Sequence, residues 1–204
     1  METDPRLPLA GFSKREDPRD ALVLPVGKAE LDPSLPIGCA SRRRAIQLAA
    51  LYPDMEVAPV RGNVQTRLRK LDEGQYSALV LASAGLKRLG LEGRIARYFT
   101  AEEMIPAAGQ GILAVQTRAG EDYPCLAAVT DRDGTVCALA ERAFVRVLDG
   151  GCSSPVAAHG VVDGDTLILT GMDENRRRDR ISGPVTEAEQ LGETLARRMK
   201  EAAE

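Results

Sequence analysis

Over residues 1–34 apolar positions follow no period, and proline and charge dominate (DPRLP, REDPRD, DPSLP). That stretch is expected to be extended, with at most one strand or short helix. From residue 35 the pattern becomes regular. The apolar run Leu35 to Ala40 reads as a strand, Ser41 stands at an N-cap position, and RRRAIQLAALY (42–52) puts Ile46, Leu48, Ala49 and Leu51 on one helical face. The unit then repeats. Met55 to Val60 reads as a strand, Arg61-Gly62-Asn63 as a turn with Asn63 a candidate cap, and VQTRLRKLDEG (64–74) as a helix stopped by Gly74. In the third unit Ser77 to Ala82 is a buried strand and SAGLKRLGL (83–91) a short helix. Three strand–helix units in succession predict an α/β layer with a parallel or mixed sheet.

Past Met104 the segment PAAGQGILAVQTR (106–118) carries Gly109 and Gly111 around Gln110 and then an alternating strand, which suits a chain crossing between domains. Asp131 precedes a long amphipathic helix, TVCALAERAFVRVLDGG (135–151), ending at a glycine pair. Strand-like VAAHGVV (156–162), a VDGD turn, TLILTGM (166–172), a charged RRRDR stretch (176–180) expected as a solvated turn, and a last helix, TEAEQLGETLARRMKEAA (186–203), make a small C-terminal α+β module.

The 204 residues are 44% hydrophobic and 28% charged, a globular composition and not a disordered one. Aromatics are 3% with no Trp, and the net charge is −3; both argue against a nucleic-acid partner. No apolar run reaches the ~18 to 20 residues that span a bilayer, and METDPRLPLAGFSKREDPRD (1–20) is too charged for a signal peptide, so a cytoplasmic chain without a membrane partner is expected. Cys39, Cys125, Cys137 and Cys152 show no metal-site spacing, so no metal is expected and all four read as thiols. Of the 27 basic residues 22 are Arg; codon bias and the bidentate capture of carboxylate or phosphate both account for such an excess.

In a parallel sheet the C-terminal strand ends share one edge, where ligands meet helix N-termini. That edge would receive Ser41, Arg42, Arg43 and Arg44 from the first unit, Arg61 and Arg67 from the second, and Lys87 and Arg88 from the third. The convergence fits a ligand with several carboxylates. Phosphates of a nucleotide fit less well, because GxxxxGK[ST] is absent. In DGGCSSP (149–155) the glycines set Cys152 in a tight loop, either as an exposed, held thiol or as an inert one. Cys125 and Cys137 lie in apolar helical patterns and are expected in the core. His159, the only histidine, falls in a strand pattern and reads as structural.

REDPRDAL (15–22), GCASRRRAIQL (38–48), RGNVQTRLRKLD (61–72), LASAGLKRLGL (81–91), PAAGQG (106–111) and LAERAFVRVLDGGCSSPVA (139–157) together resemble the porphobilinogen deaminase (hydroxymethylbilane synthase) family, in its order and spacing and over nearly the whole chain. The resemblance implies a transferase that condenses four porphobilinogen units head to tail with loss of ammonia. It implies periplasmic-binding-protein-like α/β layers and a third domain whose cysteine, here Cys152, holds a dipyrromethane cofactor through a thioether. The acetate and propionate arms of each pyrrole would be met by Ser41, Arg43, Arg44, Arg61, Arg67 and Arg88, with Arg15 and Gln110 near the interdomain cleft. On this likeness residues 1–16 are a remnant of domain 1 with a hinge, 17–105 domain 2, 106–130 the returning segment of domain 1, and 131–204 the cofactor-attachment domain. Family members are usually monomeric.

Two departures stand out. Where the family has GTSSLRR this chain has GCASRRR, so Cys39 and Ala40 replace hydroxyl residues and Arg42 a leucine. The family's HS-x-KD segment with its catalytic aspartate has no counterpart, so the catalytic residue is unassigned and the chain is expected to be inactive alone, with exposed sheet surface that favours association. The competing reading is a non-catalytic module that binds a polycarboxylate. A cysteine-nucleophile transferase would need an adjacent base that the sequence does not offer.

Overall fold

A computed structural model of the chain describes residues 4–148 and 154–202. The chain divides into two compact units, one formed by the residues through Glu16 together with those from Ala107 onward, the other by Asp17–Pro106.

In the first unit β1 (Leu9–Phe12) lies in the N-terminal stretch. The second unit opens with β2 (Asp20–Val23). The first 34 residues thus carry two strands and not the single element expected, because short apolar runs between prolines find strand partners far along the chain. The second unit continues with β3 (Ile37–Cys39), α1 (Arg42–Leu51), β4 (Val57–Pro59), α2 (Val64–Asp72), β5 (Ala78–Ala82), α3 (Ser83–Arg88) and β6 (Ile95–Tyr98). Its sheet has the order β4-β3-β5-β2-β6. β3 runs parallel to β4 and β5, whereas β2 is antiparallel to β5 and β6, so the sheet is mixed.

Helices cover both faces of that sheet, which is why its strands read as unbroken apolar runs. Leu79 and Leu81 of β5 pack with Ala21, Val23, Leu68, Leu71 and Leu86 on one side. Ala78 and Val80 turn to the other side, with Leu22, Ile37, Cys39, Leu48, Phe99 and Met104. The face that α1 buries is not the one the periodicity proposed: Leu48 is buried, Ala49 is exposed, and Arg43 and Gln47 are buried instead.

In the first unit β1 pairs antiparallel with β7 (Ala114–Gln116). A 3-10 stretch, Pro124–Ala128, leaves Cys125 exposed, contrary to the core position expected. Only a single helical turn forms there, too short to present an apolar face. Asp131 caps α4 (Arg132–Val147) by accepting from the Gly134 amide at 2.7 Å. β8 (Ala157–Asp163), β9 (Thr166–Met172) and β10 (Arg178–Pro184) form an antiparallel meander, and α5 (Ala188–Glu201) packs on α4 and on the sheet. The RRRDR stretch is a turn only in its first half. Asp173 accepts from the Asn175 and Arg177 amides at 2.9 Å each, Arg176 takes a positive φ of 64°, and Arg178 onward is strand. The core joins Phe144, Leu167, Leu169, Leu191, Leu195 and Met199, and includes Cys137 as expected.

Gly192 lets α5 lie directly against α4: a Cβ there would intrude on the Ala140 carbonyl oxygen and crowd the Ala143 side chain. Gly192→Ala is therefore expected to cost about 1–3 kcal/mol in urea unfolding. Gly85, inside α3 with open space where its Cβ would be, is the contrast: Gly85→Ala should be neutral or stabilising by up to ~1 kcal/mol. Equal effects of the two substitutions would contradict this packing.

Candidate functional site

The parallel strands β3, β4 and β5 end on one edge of their sheet, at Cys39, Pro59 and Ala82. The chain leaves that edge through Ser41 into α1, through Arg61 into α2, and directly into α3 at Ser83. β2 runs the other way, so its first residue, Asp20, comes to the same edge, paired with Ala82.

Each loop is held by local chemistry. Gly62 has φ 119°, which an L side chain rarely adopts, and its carbonyl accepts from Arg67 Nε at 2.7 Å. Asn63 caps α2, its Oδ1 accepting from the Thr66 amide at 2.8 Å. Arg67 is thereby folded back onto its own turn through Nε. Among the described residues the Nη groups of Arg67 and the guanidinium of Arg61 make no hydrogen bond or ion pair. Arg61 is exposed and Arg67 half-buried.

Ser41 occupies the N-cap position of α1 with extended backbone, but its side chain makes no cap hydrogen bond. The Cys39 thiol acts there instead, donating to the Ser41 carbonyl at 3.1 Å and accepting from the Ser41 amide at 3.4 Å. Burial pushes that thiol up from the usual cysteine range. Ala40 and Arg42 are exposed.

Arg43 and Arg44 converge on Asp20, whose side chain is fully buried. Arg43 Nη1 donates to Asp20 Oδ2 at 2.8 Å and to the Ile105 carbonyl at 2.6 Å, with 3% of its side chain exposed. Burial pulls its guanidinium below the usual arginine range, and Asp20 opposes that. Arg44 approaches Asp20 Oδ1 through Nε and Nη2, each at 2.8 Å, with 12% of its side chain exposed. Gln47, one turn on, bridges to both the amide and the carbonyl of Ile105.

Arg88 ends α3, exposed and without an ion pair among the described residues. Its neighbour Lys87 lies 3.7 Å from Asp17. Asp17 is gripped by Arg19, which also stacks over Tyr98 at 4.2 Å from the ring centre. The Arg19 side chain and amide, with Lys87, hold the Asp17 carboxyl below the usual aspartate range despite its partial burial.

Arg15 and Gln110 belong to the other unit. Arg15 donates to the Gln110 carbonyl at 2.8 Å and to Glu141 Oε1 at 2.5 Å. Glu141, wholly buried, also accepts from the Gly160 amide at 2.7 Å and the Gly109 amide at 2.6 Å, so it ties α4 to β8 and to the 109–111 turn. Burial pushes its carboxyl up, while Arg15 and the two amides pull it down. His159, on β8, lies 3.9 Å from Glu141. Cys152 lies outside the described residues.

Asp20 and Glu141 are the two residues that motif reasoning passed over. A signal existed for Glu141: with Cys137, Ala140 and Phe144 it completes the 3–4 spacing of the buried face of α4. Asp20 leads straight into the apolar run ALV, which gives a weaker signal. Among the described residues no cluster of three or more His, Cys, Asp or Glu is placed to hold a metal ion, and no helix is long and apolar enough to cross a membrane.

Glu141→Ala would leave Arg15 nearly buried without its counter-charge and orphan two amides. Chemical unfolding should register a loss of about 3–5 kcal/mol, and a loss below ~1 kcal/mol would show the pair to be dispensable. Asp17 is ionised more readily in the folded chain than in the unfolded one, so its contribution is present at neutral pH and fades as pH falls below about 4. Thermal melts between neutral and acid pH should therefore decline less steeply for Asp17→Asn than for the unchanged chain; identical slopes would contradict the assignment.

The chain is similar to known proteins along its whole length. Residues 1–124 match the family model described as porphobilinogen deaminase, dipyromethane cofactor binding domain, and residues 135–201 match that of the porphobilinogen deaminase C-terminal domain. A porphobilinogen deaminase of Acetivibrio thermocellus is 52% identical over 208 residues, covering 100% of this chain and 71% of the relative. Those of Alkaliphilus oremlandii and Ruminiclostridium cellulolyticum are 50% and 48% identical, each over 98% of this chain and 69% and 70% of the relative. With two family models and relatives at this identity spanning it from end to end, the chain belongs to the porphobilinogen deaminase family of transferases.

Proposed function

We propose that the sheet edge formed by Ser41, Arg43, Arg44, Arg61, Arg67 and Arg88 is the surface on which this chain holds the carboxylates of porphobilinogen and of the growing polypyrrole during head-to-tail condensation. The observation that carries this reading is the convergence of cationic loops from three successive strand ends on one edge, with Arg61 and the Nη groups of Arg67 left without protein partners among the described residues. A pyrrole with acetate and propionate arms presents two carboxylates, and planar guanidinium forks suit each of them.

The roles differ by burial. Arg61, Arg67 and Arg88 reach solvent and can meet a ligand directly, whereas Arg43 stands behind them against Asp20 and Ile105. The first-turn amides of α1, which the Ser41 side chain does not cap, add donors and positive potential at the same edge. In the other unit Arg15 fixes the turn at Gln110 by donating to its carbonyl. The donor set fits the dipyrromethane cofactor of the family, which carries carboxylates of the same kind and when bound supplies the pyrrole end to which the first substrate unit is joined. We assign its attachment to Cys152 and read residues 131–204 as the attachment domain. The mixed sheet with helices on both faces and cationic loops at one edge supports the periplasmic-binding-protein-like reading of residues 17–105.

Arg61→Ala and Arg67→Ala should each weaken porphobilinogen binding by about tenfold in calorimetric titration of the full chain; unchanged affinity in both would sink the site. Wherever intact mass and an aldehyde colour test reveal a pyrrole adduct on the chain, Cys152→Ala should lack it. An adduct that survives Cys152→Ala would overturn the attachment site. Binding without any adduct would leave a polycarboxylate-binding module.

A further inference from the structure

We infer that Asp20 is a positioning residue for carboxylate binding: it orients Arg44 so that one edge of that guanidinium is kept for the ligand, with Arg43 as the buried counter-charge. This rests on the reading of the sheet edge as the porphobilinogen surface and adds a residue that touches no substrate.

The backbone of Asp20 is fixed from both sides. It pairs with Ala82 of β5, and its carbonyl accepts from the Phe99 amide at 2.9 Å. Its carboxylate is therefore delivered to the ligand edge by the sheet itself, with no loop to move. Oδ2 takes Arg43 and Oδ1 takes Nε and Nη2 of Arg44, all at 2.8 Å. A guanidinium held through Nε and one Nη is fixed in plane and in direction, and the remaining Nη1 of Arg44 has no partner among the described residues. The carboxylate gathers two guanidinium groups, with 12% of the Arg44 side chain and 3% of the Arg43 side chain exposed. A ligand carboxylate against Nη1 would complete the cluster.

Charge alone and positioning predict opposite results. If Asp20 merely neutralised the arginines, Asp20→Asn would strengthen anion binding. If it positions Arg44, Asp20→Asn should weaken porphobilinogen binding by about tenfold or more, and Asp20→Asn/Arg44→Ala should bind no worse than Arg44→Ala. Calorimetric titration of porphobilinogen into the full chain reads both, and near-ultraviolet circular dichroism shows whether each variant is folded. Arg44→Lys serves as an independent variant, and decides alone where Asp20→Asn does not fold. It keeps the charge but lacks the fork that Asp20 grips, so it should bind as weakly as Arg44→Ala. Unchanged or tighter binding in Asp20→Asn, multiplying losses in the double variant, or wild-type affinity in Arg44→Lys each overturn the inference. If Arg61→Ala and Arg67→Ala weaken binding while Asp20→Asn and Arg44→Lys do not, only the positioning role falls. If none of the four has an effect, the reading of the edge falls and takes this inference with it.

Discussion

A carboxylate with no solvent contact is tolerable only when cations and donors surround it, and Asp20 meets that condition through Arg43 and Arg44 at 2.8 Å. The pair does more than neutralise a charge. It pins the first turn of α1 to the start of β2, and the next turn of the helix is pinned in turn by Gln47 to the backbone of Ile105. One helix thus presents a polar buried stripe, Arg43 and Gln47, beside an apolar one centred on Leu48. That contact holds the start of α1, and with it Arg43 and Arg44, against the strand end at Asp20. Breaking it by removing one partner would leave buried charge behind, which is why neither the carboxylate nor Arg43 is a neutral place for substitution.

The same device recurs in the other unit. Glu141 is completely enclosed and takes hydrogen bonds from Arg15, Gly109 and Gly160. It connects the long helix α4, the meander of β8 to β10 and the turn at Gln110. In each unit a fully buried acid holds arginine, and apolar clusters pack within the same unit. Hydrophobic burial drives the folding, but it is non-directional. The buried ion pairs add direction, fixing the start of α1 against β2 and the 109–111 turn against α4.

Much of this was legible along the chain. Strand, turn and helix alternate visibly from Leu35 to Arg88, the Asn63 cap and the Gly74 stop follow known local chemistry, and Cys137 sits in the core. What escaped was long-range or polar. β1 and β2 are short segments whose partners, β7 and β5, lie far along the chain, so no local period announces them. The buried face of α1 includes an arginine and a glutamine, which a hydrophobic pattern counts as exposed. Cys125 follows an apolar pattern but lies in a single 3-10 turn. The arginines were visible as a set, yet their division into solvent-facing and internal members depends on Asp20, which no local pattern links to them. The departures at the start of α1 are local: Cys39 packs in the core and bonds both backbone groups of Ser41, and Ala40 and Arg42 face solvent.

The central claim is that carboxylates of a pyrrole are gripped by Arg44, Arg61 and Arg67 together. Nitrogen-15 NMR of arginine side chains tests it most directly, because each Nε–H reports its own environment and the same unit offers a control in Arg94, which stands before β6 at the opposite edge of the sheet and is held by Asp72. On addition of porphobilinogen the account predicts shifted Nε–H resonances for Arg44, Arg61 and Arg67 and an unmoved one for Arg94. Shifts spread evenly over the exposed arginines, or none at those three, would contradict it.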